Sequence, residues 1–137
     1  FKKNSFVHGI CLGMQLLFEK SYEFGSTKGL GLIKGDILEF NKKNKKLKTN
    51  IGWCKTKFLE KIKKKKLKHF NNKHFYFVHS YYTNPTNNSD ILAKTSHGNF
   101  MFASAIKKNN ILGTQFHPEK SGNLGIDFLR NLKKYKN

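Results

Sequence analysis

The apolar and polar positions of this 137-residue chain change period several times, and each change predicts an element. The run from Phe6 to Ile10 is short and apolar, and Gly9 and Gly13 bracket a tight turn. No helix breaker falls between Leu12 and Tyr22, so strand, turn and helix are expected in that order, the helix ending near Gly25. The Gly-rich segment Ser26 to Asp36 reads as a loop entering a strand at Asp36-Ile37-Leu38-Glu39-Phe40. A polar turn, NKKNKKLK, precedes a further strand over Thr49 to Phe58. The run Glu60 to Lys73 has Ile62 and Leu67 as its only aliphatic anchors and reads as an exposed loop with a turn or two of helix. His74 to Tyr82, aromatic and β-branched, is the clearest strand, stopped by TNPTNNSD. Asp90–His97, Phe100–Lys107 and Ile111–His117 follow as an antiparallel meander. Leu124, Phe128, Leu129 and Leu132 then recur at helical spacing, with lysines gathered at the end of that helix, where its dipole favours them. No repeat or low-complexity linker divides residues 1–137, which are expected to form one domain with a single core.

Composition narrows the classes. The formal charge is +19, carried almost entirely by lysine, with Arg130 the only arginine. A non-catalytic module that binds RNA or DNA would interleave clustered basic residues with exposed aromatics. Here the lysines are spread through loops and the aromatics follow strand patterns, so neither a nucleic-acid nor a membrane partner is expected, and that module stands as the alternative from another class. No apolar run approaches the ~20 residues of a membrane span, and no leader pattern opens the chain. A cytoplasmic protein is the expectation. Cys11 and Cys54 give no disulfide framework, and the six histidines do not fall at ligand spacing, so no metal and no cofactor are expected.

Gly9-Ile10-Cys11-Leu12-Gly13 has the form of a nucleophile elbow with Cys in place of Ser. Small residues on both sides of a strand-to-helix turn let the side chain stand clear of the backbone. The N–H of Leu12 can then face a developing oxyanion, and the following helix is expected to lower the thiol pKa. Alone, the pattern also fits a plain turn around a buried thiol. A base is available in QFHPEKSG, where His117 and Glu119 end a predicted strand. Strand ends on one edge of an α/β sheet converge, so a distant His can reach an elbow, and Glu119, beyond Pro118, can point back at the imidazole and fix its tautomer. Taken singly, His117 is also a strand-end histidine and Glu119 a surface carboxylate. Joined to Cys11 they supply nucleophile, base and orienter.

GICLGMQLLFE together with GTQFHPEKSG resembles the class I, or triad, glutamine amidotransferases. GLGLIKGDI, NIGWC and FYFVHSYY, in that order, narrow the resemblance to the family of glutaminase subunits of imidazole glycerol phosphate synthase. The resemblance covers Phe6 to about Leu132. It implies a flavodoxin-like α/β fold that here lacks its N-terminal strands and helices, and with them a second oxyanion donor. It implies Cys11 as nucleophile, His117 as acid/base, Glu119 as its orienter and Leu12 N–H as oxyanion donor. Gln15 then matches the side chain that holds the substrate, and Ser80 and Tyr81 a strand end whose backbone grips the glutamine α-groups. His79 would lie toward the partner. The family hydrolyses glutamine and passes ammonia to a (β/α)8-barrel cyclase subunit in a heterodimer of histidine biosynthesis. Two departures stand out: the family reads Pro-His-x-Gly-Trp-Asn where this chain has Thr49-Asn50-Ile51-Gly52-Trp53-Cys54, and His8 replaces an aliphatic residue. They leave open a paralogue that supplies ammonia for amidino sugars of a cell-surface polysaccharide.

Overall fold

The structure is a computed structural model and describes residues 5–59 and 65–133. Ile62 and the terminal lysines Lys134 and Lys136, which the sequence reading uses, lie outside those residues. Ten strands form one mixed sheet among the described residues. In chain order they are β1 (Val7–Ile10), β2 (Phe18–Ser21), β3 (Thr27–Lys28), β4 (Ile33–Glu39), β5 (Asn50–Phe58), β6 (Lys73–His79), β7 (Tyr81–Pro85), β8 (Ile91–His97), β9 (Phe100–Lys108) and β10 (Ile111–Thr114). The helices are α1 (Leu12–Gln15), α2 (Phe40–Lys43) and α3 (Gly122–Lys133). The main path runs β3-β2-β4-β7-β9-β8-β5-β6, and β10 joins β9 to β1 as a branch. β1 pairs with β10 in parallel, and β2 with β4 in parallel; β8, β9 and β10 form the expected antiparallel meander.

Two predicted elements come out differently. The helix expected over Leu12 to Tyr22 is a single turn, α1, after which the chain extends into β2. The Gly-rich segment is the reason. Backbone N–H groups of Gly29, Leu30, Gly31 and Leu32 take the carbonyls of Glu19, Leu16, Phe18 and Leu17 at 2.8–3.0 Å, so those carbonyls are withdrawn from any helical ladder. The approach is possible because a Cβ at residue 29 would lie 2.1 Å from the Phe18 carbonyl oxygen. The expected strand His74–Tyr82 is likewise two strands, broken at Ser80. There the Ser80 carbonyl accepts from Phe40 N–H at 3.1 Å and the His79 ring donates Nδ1–H to the Tyr81 carbonyl at 2.7 Å. β6 therefore stays with β5, while β7 crosses to β4 and β9.

The buried aromatics explain where the segment after β10 goes. Phe75 of β6 stacks on Phe116 at 4.2 Å, and Phe128 of α3 closes edge-on over both, at 5.8 and 5.4 Å. All three are fully buried. With Phe58 and Phe70 they form the larger core cluster, and Leu67, one of the two anchors read from the lysine-rich run, is buried in it. A smaller cluster of Met14, Leu17, Phe18, Ile33, Ile37 and Ile106 lies under α1. The turn between β1 and α1 sits where these two clusters meet.

Candidate active site

Cys11 occupies that turn with φ 51° and ψ −109°, a backbone conformation that an L-residue adopts only when its surroundings compel it. Two contacts compel it here. Cys11 N–H donates to the Thr114 carbonyl at 2.7 Å, which ties the turn to the end of β10, and Met14 and Gln15 N–H both donate back to the Cys11 carbonyl at 3.0 and 3.1 Å. Gly9 must be glycine: a Cβ there would stand 2.5 Å from the Gly13 carbonyl oxygen. Because β1 and β10 run parallel and in register, Ile10 opposite Thr114, both strands end at one edge, as the convergence argument requires.

Beyond Thr114 the chain leaves the ladder. Gln115 N–H donates to Ser104 O at 2.8 Å, Phe116 plunges into the aromatic core, and His117 N–H donates to Tyr76 O of β6 at 2.9 Å. The Cys11 thiol meets the same strand two residues on, with Sγ 4.0 Å from Val78 O. Thus Cys11 and His117 lean on one edge of β6. His117 Nδ1–H donates to Glu119 Oε1 at 2.6 Å, which leaves Nε2 as the basic nitrogen; that atom is buried and makes no hydrogen bond to the described residues. Ser121 follows the Pro118–Lys120 turn directly. Its hydroxyl donates to His117 O at 2.6 Å and accepts from Tyr76 N–H at 3.0 Å, so it fixes the histidine backbone against β6.

Burial pushes the pKa of the Cys11 thiol up, opposed by the Leu12 N–H and the Gln115 amide; the Glu119 charge adds to the rise and Lys120 works against it. The expected lowering by a helix does not dominate, because α1 is one turn long and carries little macrodipole. His8, on β1, hydrogen-bonds Thr114 Oγ1 at 3.1 Å and is held near pKa 4 by burial, in spite of the Glu119 charge.

Gln15 is buried, with Nε2 donating to Tyr81 O at 3.2 Å and to Gln115 Oε1 at 3.1 Å. It also lines a cavity of about 370 Å³ beside the elbow, together with Leu12, Leu16, Ser21, Glu23 and Thr27. Glu23, expected inside a helix, lies on the loop after β2, and the early end of α1 brings it to the lining of that cavity. Ser80 sits at the break between β6 and β7 and bonds Thr49 through the two hydroxyls at 2.6 Å. His79, expected toward a partner, is 6% exposed and packs on Phe40, Phe77 and Phe102. Its pKa is lowered to about 4 by burial.

A strained Cys thus stands at the end of a parallel strand pair, with a His–carboxylate pair at the same edge of the sheet. A family profile described as glutamine amidotransferase class-I matches residues 1–133. The chain belongs to this family. Among curated relatives, the imidazole glycerol phosphate synthase subunit HisH of Methanocaldococcus jannaschii is 45% identical over 129 residues, covering 90% of this chain and 60% of that protein. HisH of Aquifex aeolicus is 43% identical over 130 residues, covering 92% and 59%. The amidotransferase chain thus spans about 60% of the length of the curated relatives it matches. Solved structures agree in fold. A Thermoplasma acidophilum protein aligns with TM-score 0.65 at 18% identity, covering 97% of this chain and 58% of its own. A Thermotoga maritima glutamine amidotransferase aligns with TM-score 0.59 at 16% identity, covering 93% and 46%. The fold is the flavodoxin-like α/β fold of class I amidotransferases.

Proposed function

We propose that this chain carries the glutaminase centre of an imidazole glycerol phosphate synthase, hydrolysing glutamine through Cys11, His117 and Glu119. The observation that carries the reading is the positive-φ elbow at Cys11, tied by its own N–H to the strand that leads to the His117–Glu119 pair. The curated relatives named HisH favour this over the amidino-sugar paralogue.

The chemistry follows from the groups. His117 Nε2 takes the Cys11 proton as sulfur attacks the glutamine carboxamide, so the raised thiol pKa is overcome by a base held in the correct tautomer by Glu119. Leu12 N–H donates to the oxyanion of the tetrahedral intermediate. The C–N bond then breaks, His117 returns the proton to the departing ammonia, and a γ-glutamyl thioester remains. Water, deprotonated by the same Nε2, cleaves the thioester to glutamate and regenerates the thiol. Both Nε2 hydrogens of Gln15 are committed within the protein, so its Oε1 is the atom that meets the substrate, and Glu23 in the same cavity suits the substrate ammonium. The Ser80 and Tyr81 carbonyls are already engaged, by Phe40 N–H and by Gln15 Nε2 with the His79 ring, so this strand end adds no carbonyl to the grip. Ammonia is useful only while it stays unprotonated, which a dry passage into a (β/α)8-barrel cyclase subunit would secure in the cytoplasm.

The test is covalent. A glutamine chloroketone applied to the protein should modify Cys11 and spare Cys54 on peptide mass spectrometry, and excess glutamine should protect Cys11. Labelling of Cys54 alone, or of neither thiol, would overturn the reading.

A further inference from the structure

The Cys11 sulfur has a polar neighbour that the triad does not include. Gln115, fully buried at the end of β10, donates Nε2–H to Cys11 Sγ at 3.6 Å and accepts from Gln15 Nε2 at 3.1 Å through its Oε1. We propose that Gln115 is a further catalytic residue, whose amide holds the nucleophilic sulfur and stabilises it as thiolate, and that Gln15 is the positioning residue that orients this amide. The proposal deepens the glutaminase reading and rests on it.

The direction in which the Gln115 amide points follows from an acceptor that cannot reverse. The Tyr81 carbonyl can only accept, and it receives both His79 Nδ1–H at 2.7 Å and Gln15 Nε2–H at 3.2 Å. Gln15 therefore has to present its nitrogen there, and its second N–H has to meet an oxygen. That oxygen is Gln115 Oε1, so the nitrogen of Gln115 is left facing sulfur. Turning the Gln115 amide over would set its nitrogen against the Gln15 nitrogen, donor to donor, inside the protein, and would aim an oxygen at the sulfur. Both contacts are repulsive, and the two amides that would make them are buried.

The histidine is locked in turn. Nδ1 carries the proton, so Nε2 accepts from Asn50 Nδ2 at 3.1 Å, and the Asn50 oxygen accepts from the Cys54 thiol at 3.5 Å. The donors from Cys54 to His79 converge on the Tyr81 carbonyl, and from that fixed acceptor Gln15 and Gln115 carry the direction on to the reacting atom. At rest the thiol proton faces Val78 O; once His117 Nε2 removes it, the new lone pair finds the Gln115 N–H already in place, with no reorganisation. Gln115 is neutral and keeps both its protons throughout. It suits a thiolate that forms only on substrate attack, whereas a lysine would hold the sulfur ionised permanently. Burial raises the Cys11 pKa, and the Gln115 amide is among the groups that oppose this.

The experiment reads sulfur directly. Iodoacetamide alkylation of Cys11 and Cys54 is followed by peptide mass spectrometry across pH 6 to 11 in the whole chain, for the parent protein, Gln115→Leu, Gln115→Glu and Gln15→Met, with a thermal melt of each. Loss of the donor in Gln115→Leu should raise the midpoint of the Cys11 profile and slow alkylation at pH 7.5 by about tenfold. Gln115→Glu has the same shape with an acceptor in place of the donor, so it should slow Cys11 further; it also serves where the leucine variant does not fold. Gln15→Met should give a smaller slowing, by roughly threefold, because it frees the amide instead of removing it. The Cys54 midpoint should stay fixed in the Gln115 variants. An unmoved Cys11 midpoint in both, or one that moves only in step with Cys54, would overturn the assignment. The chloroketone separates the two readings: normal protection by glutamine with an unmoved midpoint removes the Gln115 role alone, whereas a shifted midpoint in a chain that glutamine does not protect removes the glutaminase reading.

Discussion

Cys11 and Cys54 are both free, half-buried thiols whose pKa burial raises, and both touch a side-chain amide, yet their backbones differ completely. Cys54 lies in β5, in register with Phe75 of β6, in ordinary extended conformation. Cys11 is held at positive φ by a carbonyl on β10 and two amides of α1. The strand that carries Cys54 exposes Ile51 and Trp53 on its other face, whereas the segment beyond the Cys11 turn's partner strand is anchored by Phe116 in the aromatic core. What differs is how far the surroundings constrain each sulfur: a strand positions a side chain to within its rotamers, but a strained turn clamped from two sides fixes one atom in one direction. Within the segment that departs from the family pattern, Asn50 and Cys54 meet each other at 3.5 Å, so the antiparallel ribbon accommodates that change locally while the elbow keeps its form.

The contrast can be broken most severely by removing the aromatic anchor. Phe116→Ala should cost about 3–5 kcal/mol by urea unfolding and abolish chloroketone labelling of Cys11, since the ring that carries the chain toward His117 is gone. Next, Gly9→Ala should cost about 3 kcal/mol, because its Cβ has to push the Gly13 carbonyl away from 2.5 Å, whereas Gly13→Ala meets nothing within 4 Å and should leave the melting temperature unchanged or slightly higher. Equal effects of the two substitutions would show that the elbow is not the tight point.

Acid comes third. His79 is held at about 4 against the ordinary 6.5, so between these pH values the unfolded chain binds a proton that the folded chain refuses. Its contribution is complete above pH 6.5 and is lost as pH falls toward 4, by up to about 3 kcal/mol, with His8 acting in the same direction. Urea midpoints at pH 7 and 4.5 should fall accordingly in the parent and less in His79→Gln. The smallest effect belongs to the exposed face: Trp53→Ala removes an edge contact with Tyr76 at 6.0 Å and should cost under about 1 kcal/mol, with Cys11 labelling unchanged.

Much of the site was legible because its parts are local. Gly-x-Cys-x-Gly states a tight turn, and His117-Pro118-Glu119 states a rigid pair two residues apart, which the 2.6 Å contact realises. The limits of β8 and β9 were legible for the same reason, alternation and turn residues being local signals, whereas the third strand, expected through His117, stops at Thr114 because Gln115 and His117 N–H turn to Ser104 O and Tyr76 O. The helix after Cys11 was misread because Leu12 to Tyr22 contains nothing that stops a helix from within; the amides that stop it come from residues 29–32. The position of Glu23 was hidden as a consequence, and the break at Ser80 was hidden because its cause, Phe40, lies 40 positions earlier in the chain.

The sequence by itself determined which residues could do chemistry and which stretches could be strands, since side-chain type and hydrophobic period are properties of neighbours along the chain. Only the tertiary structure decided which way a buried amide points, where a carbonyl is claimed, and whether a thiol is eased or burdened by its surroundings. Those depend on hydrogen-bond partners brought together from distant segments, and on the removal of water that makes each unpaired group costly.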